Sequence, residues 1–369
     1  MANTYLSRTM NKAENTDSDK KFSYSAWIKR SSLSDACIIE GYYSSTFHSQ
    51  LYFDSNANLT LNCASGTSGA AFQIVTNRKF RDTSAWYHIV VAIDTTQGTA
   101  SDRAKIYING VQETSFSGAT YPNQNTSHQF NRNGNTAYLG RRTGGGVGLY
   151  FGGLMSHIHT TIGYTYDASA FGKTDTTTGE WEAKTSPSVT YGTNGFFILK
   201  DGNSVTDQSS NSNNFTVSGG TLTNLKDNPD NVFATMNPLL QGDPSRNLTF
   251  SNGNTTITGG AATWHPCGST IAAPAKTGKW YWEFSQFVST QIFVGLMASN
   301  ANINRNLPYQ TPGLIQYFYA GRLTVDNSDT ENYFTAISAQ TDVVGVALDM
   351  TAGTYGQVQF YLNGSTTGA

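Results

Sequence analysis

Length, charge and hydropathy set the first limits. The chain has 369 residues, long enough for two ordinary modules, and only 13% of them are charged, about half the ~25% usual for soluble domains. A formal net charge of −2 leaves no basic footprint for nucleic acid, and no stretch reaches the ~18 apolar residues of a membrane span. With so few charges, the polar surface has to come from Ser, Thr, Asn, Gln and Gly. Cys37, Cys63 and Cys267 lack metal-like spacing and read as packing thiols rather than a disulfide framework. The first eight residues carry no apolar signal region, so synthesis in a cytosol is expected.

In chain order, strand alternation recurs and helical periodicity is nearly absent. Residues 22–29 put Phe22, Tyr24 and Ala26 on one face and Trp27 on the other. Residues 51–53, 59–61 and 72–75 read as short strands. The longer, largely apolar run 86–93 is expected to cross the middle of a sandwich. Residues 150–159 read as another strand, and Asp167 caps a short helical turn up to Gly172. A strand at 195–200 precedes the Ser/Asn-rich loop 207–214, and turn-forming residues 227–238 make a connector, with the boundary placed near 240. The second module begins at 248–250 and includes the aromatic strand 279–284.

One pattern occurs twice. An apolar strand ends in an acid (Asp94, Asp349), a polar loop follows, and a second strand closes on Asn-Gly (Asn109-Gly110, Asn363-Gly364). Asn-Gly is the strongest short hairpin signal because both residues tolerate positive φ. The echo predicts two related hairpins, one per module. The fold class expected is all-β, with two antiparallel β-sandwich (jelly-roll) modules in tandem.

The segment from Trp86-Tyr87-His88-Ile89-Val90 to Tyr107-Ile108-Asn109-Gly110, with Phe22 to Arg30 and Gly152 to Ile158, resembles concanavalin A-like, laminin-G-type jelly rolls. The blocks Ala168-Ser169-Ala170-Phe171-Gly172, Thr178-Gly179-Glu180-Trp181, Tyr191 to Phe196 and Asp207 to Asn214 resemble a recurrent pattern in structural proteins of marine tailed bacteriophages. In those proteins a SPRY domain commonly follows. Gly278 to Glu283, Phe293 to Leu296, Val344 to Asp349 and Phe360 to Gly364 are similar to successive SPRY strands. The resemblance implies a lectin-type sandwich over 1–240, with a phage-typical extension at about 165–240, and a SPRY-like sandwich over 241–369. A SPRY sandwich normally continues past this last hairpin, so the second module is expected to be incomplete at its C-terminus.

Glucanases of the concanavalin-like fold use carboxylates at alternate positions of one strand. Glu180-Trp181-Glu182 has that spacing, but in a Gly/Thr-rich loop without a third partner, so no catalytic residue is expected. The pair His157 and His159 reads as surface histidines rather than a metal site, and Gly144-Gly145-Gly146 as a flexible turn rather than a phosphate loop. No cofactor is expected beyond calcium, for which Asp94, Asp102, Asp167 and Asp207 offer oxygens, although Asp94 and Asp207 also suit turn formation. Tyr42, Tyr43, Tyr121, Tyr150, Tyr164, Tyr317 and Tyr319 are the carbohydrate-stacking candidates. Trp27, Trp86, Trp280 and Trp282 read as core.

The resemblance implies a non-enzymatic protein on a virion surface: a tail fibre, spike or capsid-attached fibre made in the host bacterial cytoplasm. Its partners would be other capsid or tail proteins and host surface glycans, with a homo-oligomer, a trimer for a fibre, expected. A capsid cement protein that binds no sugar is the alternative, and a glycan hydrolase the weaker one.

Overall fold

The computed structural model describes all residues except 1–2, 14–17, 67–69, 145–147, 201, 203, 243–247, 260–265, 286, 288–291, 304–311, 327 and 368–369. The chain divides into two compact units, Met1–Phe233 and Ala234–Ala369. It is all-β, and every strand pair described is antiparallel.

The first unit is a sandwich. Its eight-stranded sheet runs Phe116–Thr120, Ala70–Lys79, Asn58–Ser65, Phe47–Phe53, Ala36–Ser44, Thr136–Leu139, Tyr5–Thr9 and Thr216–Ser218. The six-stranded sheet runs Phe196–Ile198, Gly153–Ile162, Lys21–Arg30, Tyr87–Asp94, Ala104–Ile108 and Val111–Gln112. The expected apolar strand at 86–93 does lie inside its sheet. Because side chains alternate across a strand, register decides what the core contains. Leu6, Leu139, Ile39, Leu51, Leu61 and Ile74 stand opposite one another across six strands of the first sheet. They meet Phe22, Tyr24, Ala26, Ile28, Ile89, Val91, Ile93 and Ile106 from the second sheet in one buried cluster. Trp27 faces away from that core, as its alternation predicts.

What alternation does not predict is that the far face of the six-stranded sheet is also buried. Residues 164–191, with Asp227 and Phe233, lie across it as a third layer. Trp27 and Trp86 pack there with Trp181 and Ala183, and Val90 packs with Ala168 and Phe171. The outward-pointing polar side chains are therefore sealed, and each needs a partner. Ser23 Oγ donates to the carbonyl of Tyr166 and accepts from its N–H. Lys29 and Asp227 form an ion pair of 2.7 Å with side chains 2% and 1% exposed. The other Asp227 oxygen accepts from Trp86 Nε1 at 2.9 Å. Asp167 caps the turn Ala168–Ala170, accepting from the Ser169 N–H, as expected.

The second unit holds two four-stranded sheets. One runs Lys279–Ser285, Val343–Asp349, Gln357–Leu362 and Ser365–Thr366. The other runs Phe293–Met297, Leu314–Phe318, Arg322–Val325 and Ser328–Thr330. Val294, Tyr317, Phe334, Val344, Val346 and Phe360 form its core.

The repeated sequence pattern is a repeated structure. Asn109 and Gly110 have φ of 48° and 83°, and Asn363 and Gly364 have 51° and 80°, values that suit a type I′ hairpin. Asn109 Oδ1 accepts from the His88 N–H at 2.8 Å, and Asn363 Oδ1 accepts from the Val343 N–H at 2.9 Å. Each asparagine N–H donates back to the carbonyl of that same residue. Six residues on, Asp94 and Asp349 each accept from the N–H and hydroxyl of a threonine two positions later. Lys21 faces Asp94 and Lys279 faces Asp349 in the neighbouring strand.

Removing one partner of a buried ion pair leaves the other charge stranded. Asp227→Ala is expected to lower unfolding free energy by ~3–5 kcal/mol in urea titration, with Lys29→Met in the same chain recovering much of it.

Candidate functional site

With one sheet covered on both faces, the accessible sheet surface of the first unit is the outer face of the eight-stranded sheet. Alternation in Tyr5–Thr9 and Thr136–Leu139 sends Leu6 and Leu139 inward, and so Tyr5 and Tyr138 outward. Register then carries the row onward, placing Tyr138 opposite Glu40, Glu40 opposite Gln50, Gln50 opposite Asn62 and Asn62 opposite Gln73. One pair along, Tyr42 faces His48.

Four half-exposed tyrosines join ring to ring on this face. Tyr42 and Tyr138 centroids are 6.3 Å apart, Tyr138 and Tyr5 5.9 Å, and Tyr5 and Tyr150 6.2 Å. The Arg141 guanidinium lies over Tyr5 at 4.6 Å and beside Tyr138 at 5.4 Å, and Arg142 lies over Tyr52 at 5.1 Å. Such contacts orient the guanidinium without neutralising it.

The chain after Arg142 folds back over the middle of the sheet and is pinned by Glu40, which is fully buried. Its Oε2 accepts from the Thr143 N–H at 2.6 Å, and its Oε1 accepts from the Gly144 N–H and from Gln50 Nε2, both at 2.7 Å. Three donors suit a buried carboxylate that has no cation in direct contact. Gly144 is required for closeness, since a Cβ there would lie 2.5 Å from His48 Nδ1. Gly145 and Gly146, read above as turn, lie outside the described residues. Arg141 Nε, Thr143 Oγ1, Gln50 Oε1 and His48 Nδ1 are buried atoms with no hydrogen-bond partner.

Of the sequence-predicted tyrosines, the structure brings Tyr42 and Tyr150 together. It does so through Tyr5 and Tyr138, which sequence reasoning passed over. Tyr43 is 65% exposed and edges on Phe47, and Tyr164 is 45% exposed. Tyr121 packs against the sandwich core. Tyr317 is fully buried between Phe334 and Phe360 and has no face free for a ligand. Tyr319 edges on Phe318 in that second unit. Tyr150 falls outside the long strand expected at 150–159. That strand is Gly153–Ile162, and Tyr150 pairs with Arg141 in a short ribbon that aims it at Tyr5.

The four aspartates stay apart and serve locally. Asp94 binds Thr96 and Gln97, and Asp102 pairs with Lys105 at 2.9 Å. Asp167 caps its turn. Asp207 accepts from Phe197, Ser209 and Asn213, organising the Ser/Asn-rich loop. No group of three His, Cys, Asp or Glu suited to a metal occurs among the described residues. Glu182 lies in a hairpin rather than a loop, 3.5 Å from Lys173, and Glu180 is exposed beside it.

The expectation of surface histidines at 157 and 159 is overturned. A bulge between Ser156 and His159, with His157 at φ 48°, turns both rings under the third layer, where they are 8% and 1% exposed. His159 stacks on Phe197 at 3.8 Å and shares a hydrogen bond of 3.0 Å with the Tyr191 hydroxyl. His88 accepts from Trp181 Nε1 on Nδ1, so the neutral ring donates from Nε2 to Ser25 Oγ. Burial first, then the neighbouring His157, pushes the His88 imidazole down to about 3, and burial pushes His128 to about 4 and His159 well below its ordinary value.

Residues 4–160 match the family described as the concanavalin A-like lectin/glucanases superfamily, and residues 279–369 match the SPRY domain. The chain combines a laminin G-type domain with a SPRY domain. Both domain types are typically binding modules. The match covers the tyrosine face and the sandwich apart from its edge strands Phe196–Ile198 and Thr216–Ser218, and the third layer lies beyond residue 160. No curated protein matches the chain in sequence. Among solved structures, mouse laminin α1 domains LG4-5 are similar at 10% identity, over 99% of this chain and 74% of that one, with TM-score 0.35. The heptameric SAP-like pentraxin of Limulus polyphemus is 18% identical over 45% of this chain and 72% of its own, with TM-score 0.31. Tailspike protein 2 of an Escherichia coli O157:H7 bacteriophage is 12% identical over 44% and 21%, with TM-score 0.28. Likenesses at this level say nothing of ligand or role.

The buried histidines set a pH dependence. Unfolded, they titrate near 6.5; folded, they stay neutral to far lower pH. Below 6.5 the unfolded chain therefore binds more protons, and stability falls as pH falls. The urea midpoint is expected to drop from pH 7 to pH 5, and His88→Gln should flatten that slope by up to ~1.4 kcal/mol per pH unit.

Proposed function

We propose that the chain is a non-catalytic glycan-binding protein of a tailed-phage virion surface, and that the tyrosine face of its first unit takes the sugar. One observation carries the binding reading. Tyr42, Tyr138, Tyr5 and Tyr150 form a continuous half-exposed aromatic row on the outer face of the eight-stranded sheet. A ring face covers the apolar side of a pyranose, while the phenol hydroxyls match its hydroxyls. The lectin-type family match over 4–160 supports the same reading. The virion role rests on the resemblance of residues 168–214 to phage structural proteins. Among the described residues no carboxylate pair faces the aromatic row: Glu40 is committed to its three donors, and Glu182 pairs with Lys173.

A glycan array with the full chain, together with mass spectrometry of purified particles, tests both halves. Tyr42→Ala and Tyr138→Ala should each weaken glycan binding about tenfold, the equivalent of ~1.4 kcal/mol, while Tyr355→Ala on the second unit should leave it unchanged. Binding to empty capsids without any glycan binding would make the protein a cement. Release of reducing ends from host polysaccharide would make it a hydrolase. Absence from the particle would sink the virion role.

A further inference from the structure

We infer that the saccharide taken on the tyrosine face is an acidic one, its carboxylate held by Arg141. The inference rests on the glycan-binding reading of that face and adds the ligand's charge.

Most buried or half-buried arginines of the first unit are spoken for. Arg30 donates to the carbonyls of Phe80 and Ser34, Arg78 pairs with Glu113, and Arg8 donates to Asn214 O and Asn213 Oδ1. Arg141 differs. Its guanidinium is placed by the Tyr5 and Tyr138 rings and pairs with no carboxylate among the described residues. Its Nε is buried without a hydrogen-bond partner, as are those of Arg8 and Arg30, but unlike theirs its terminal nitrogens donate to no acceptor among the described residues. The carboxylate of this face, Glu40, already accepts from Thr143, Gly144 and Gln50. A cation is thus held in a half-buried aromatic setting with its donors uncommitted among the described residues.

The chemistry of that arrangement favours one class of ligand. A guanidinium presents a planar fork that matches a carboxylate bidentately, and ring contacts hold the fork in a fixed plane before the ligand arrives. Partial burial strengthens the attraction relative to a solvated lysine. The tyrosines on either side supply flat apolar surface for the sugar ring that bears the acid. A net charge of −2 supplies no general pull on anions, so selectivity has to be local.

The deciding experiment is calorimetric titration of the full chain with a glucuronic acid-containing oligosaccharide, a sialylated oligosaccharide and the methyl esters of both. Esterification keeps the sugar and removes the charge. At least one acid is expected to bind, with its ester weaker by tenfold or more and with affinity falling as salt rises. Arg141→Gln should lose the acid preference, and Arg141→Lys should keep part of it. Should Arg141→Gln fold poorly, the acid-against-ester comparison on the unaltered chain decides alone. Equal binding of acid and ester, or of neutral oligosaccharides with Arg141→Gln unaffected, overturns the acidic ligand and leaves glycan binding standing. Binding to no saccharide overturns both.

Discussion

The six-stranded sheet of the first unit is buried on both faces, and that burial governs what the rest of the unit can do. An antiparallel sheet of this size usually keeps one face for water, and its strands alternate accordingly. Here Ser23, Ser25, Lys29 and His88 occupy the positions that water would normally serve. Each is answered by a group from the third layer or from within the sheet: Tyr166, Asp227 with Phe233, and the Ser25–His88–Trp181 chain. The partners lie 93 to 204 residues away in sequence where they cross from sheet to layer, so the layer and sheet specify each other's placement.

Sealing that face leaves the outer face of the other sheet as the first unit's exposed sheet surface. There, the same physics runs in reverse. A buried Glu40 draws the backbone after Arg142 down onto the sheet, and this short return aims Arg141 and Tyr150 toward Tyr5 and Tyr138. The anchoring carboxylate and the aromatic row are therefore separate parts of one arrangement. One holds the loop, and the other offers rings.

Local chemistry was legible in the sequence. The Asn-Gly hairpins, the Asp167 cap and the facing of Phe22, Tyr24 and Ala26 against Trp27 follow from residue type and period alone, and so does the all-β class. What could not be read depends on register and long-range burial. Tyr138 meets Tyr42 and Tyr5 only because three strands distant in sequence lie side by side. His157 and His159 looked like surface residues because alternation cannot foresee a bulge or a covering layer. Tyr317 looked like one more exposed tyrosine in an aromatic triplet, yet it is the one turned into the second core.

The twin hairpins carry a further consequence for how the protein ages. Asn-Gly is the dipeptide in which the following backbone nitrogen most readily attacks the side-chain amide, closing a succinimide and losing ammonia. In both hairpins the asparagine oxygen is engaged across the ladder, by His88 N–H or Val343 N–H, and the backbone is held by the returning bond. Intact strands thus withhold the geometry that ring closure needs. Chemical lifetime at Asn109 and Asn363 is tied to how often these two ladders open, and the charge gained by deamidation would record each unit's history of opening separately.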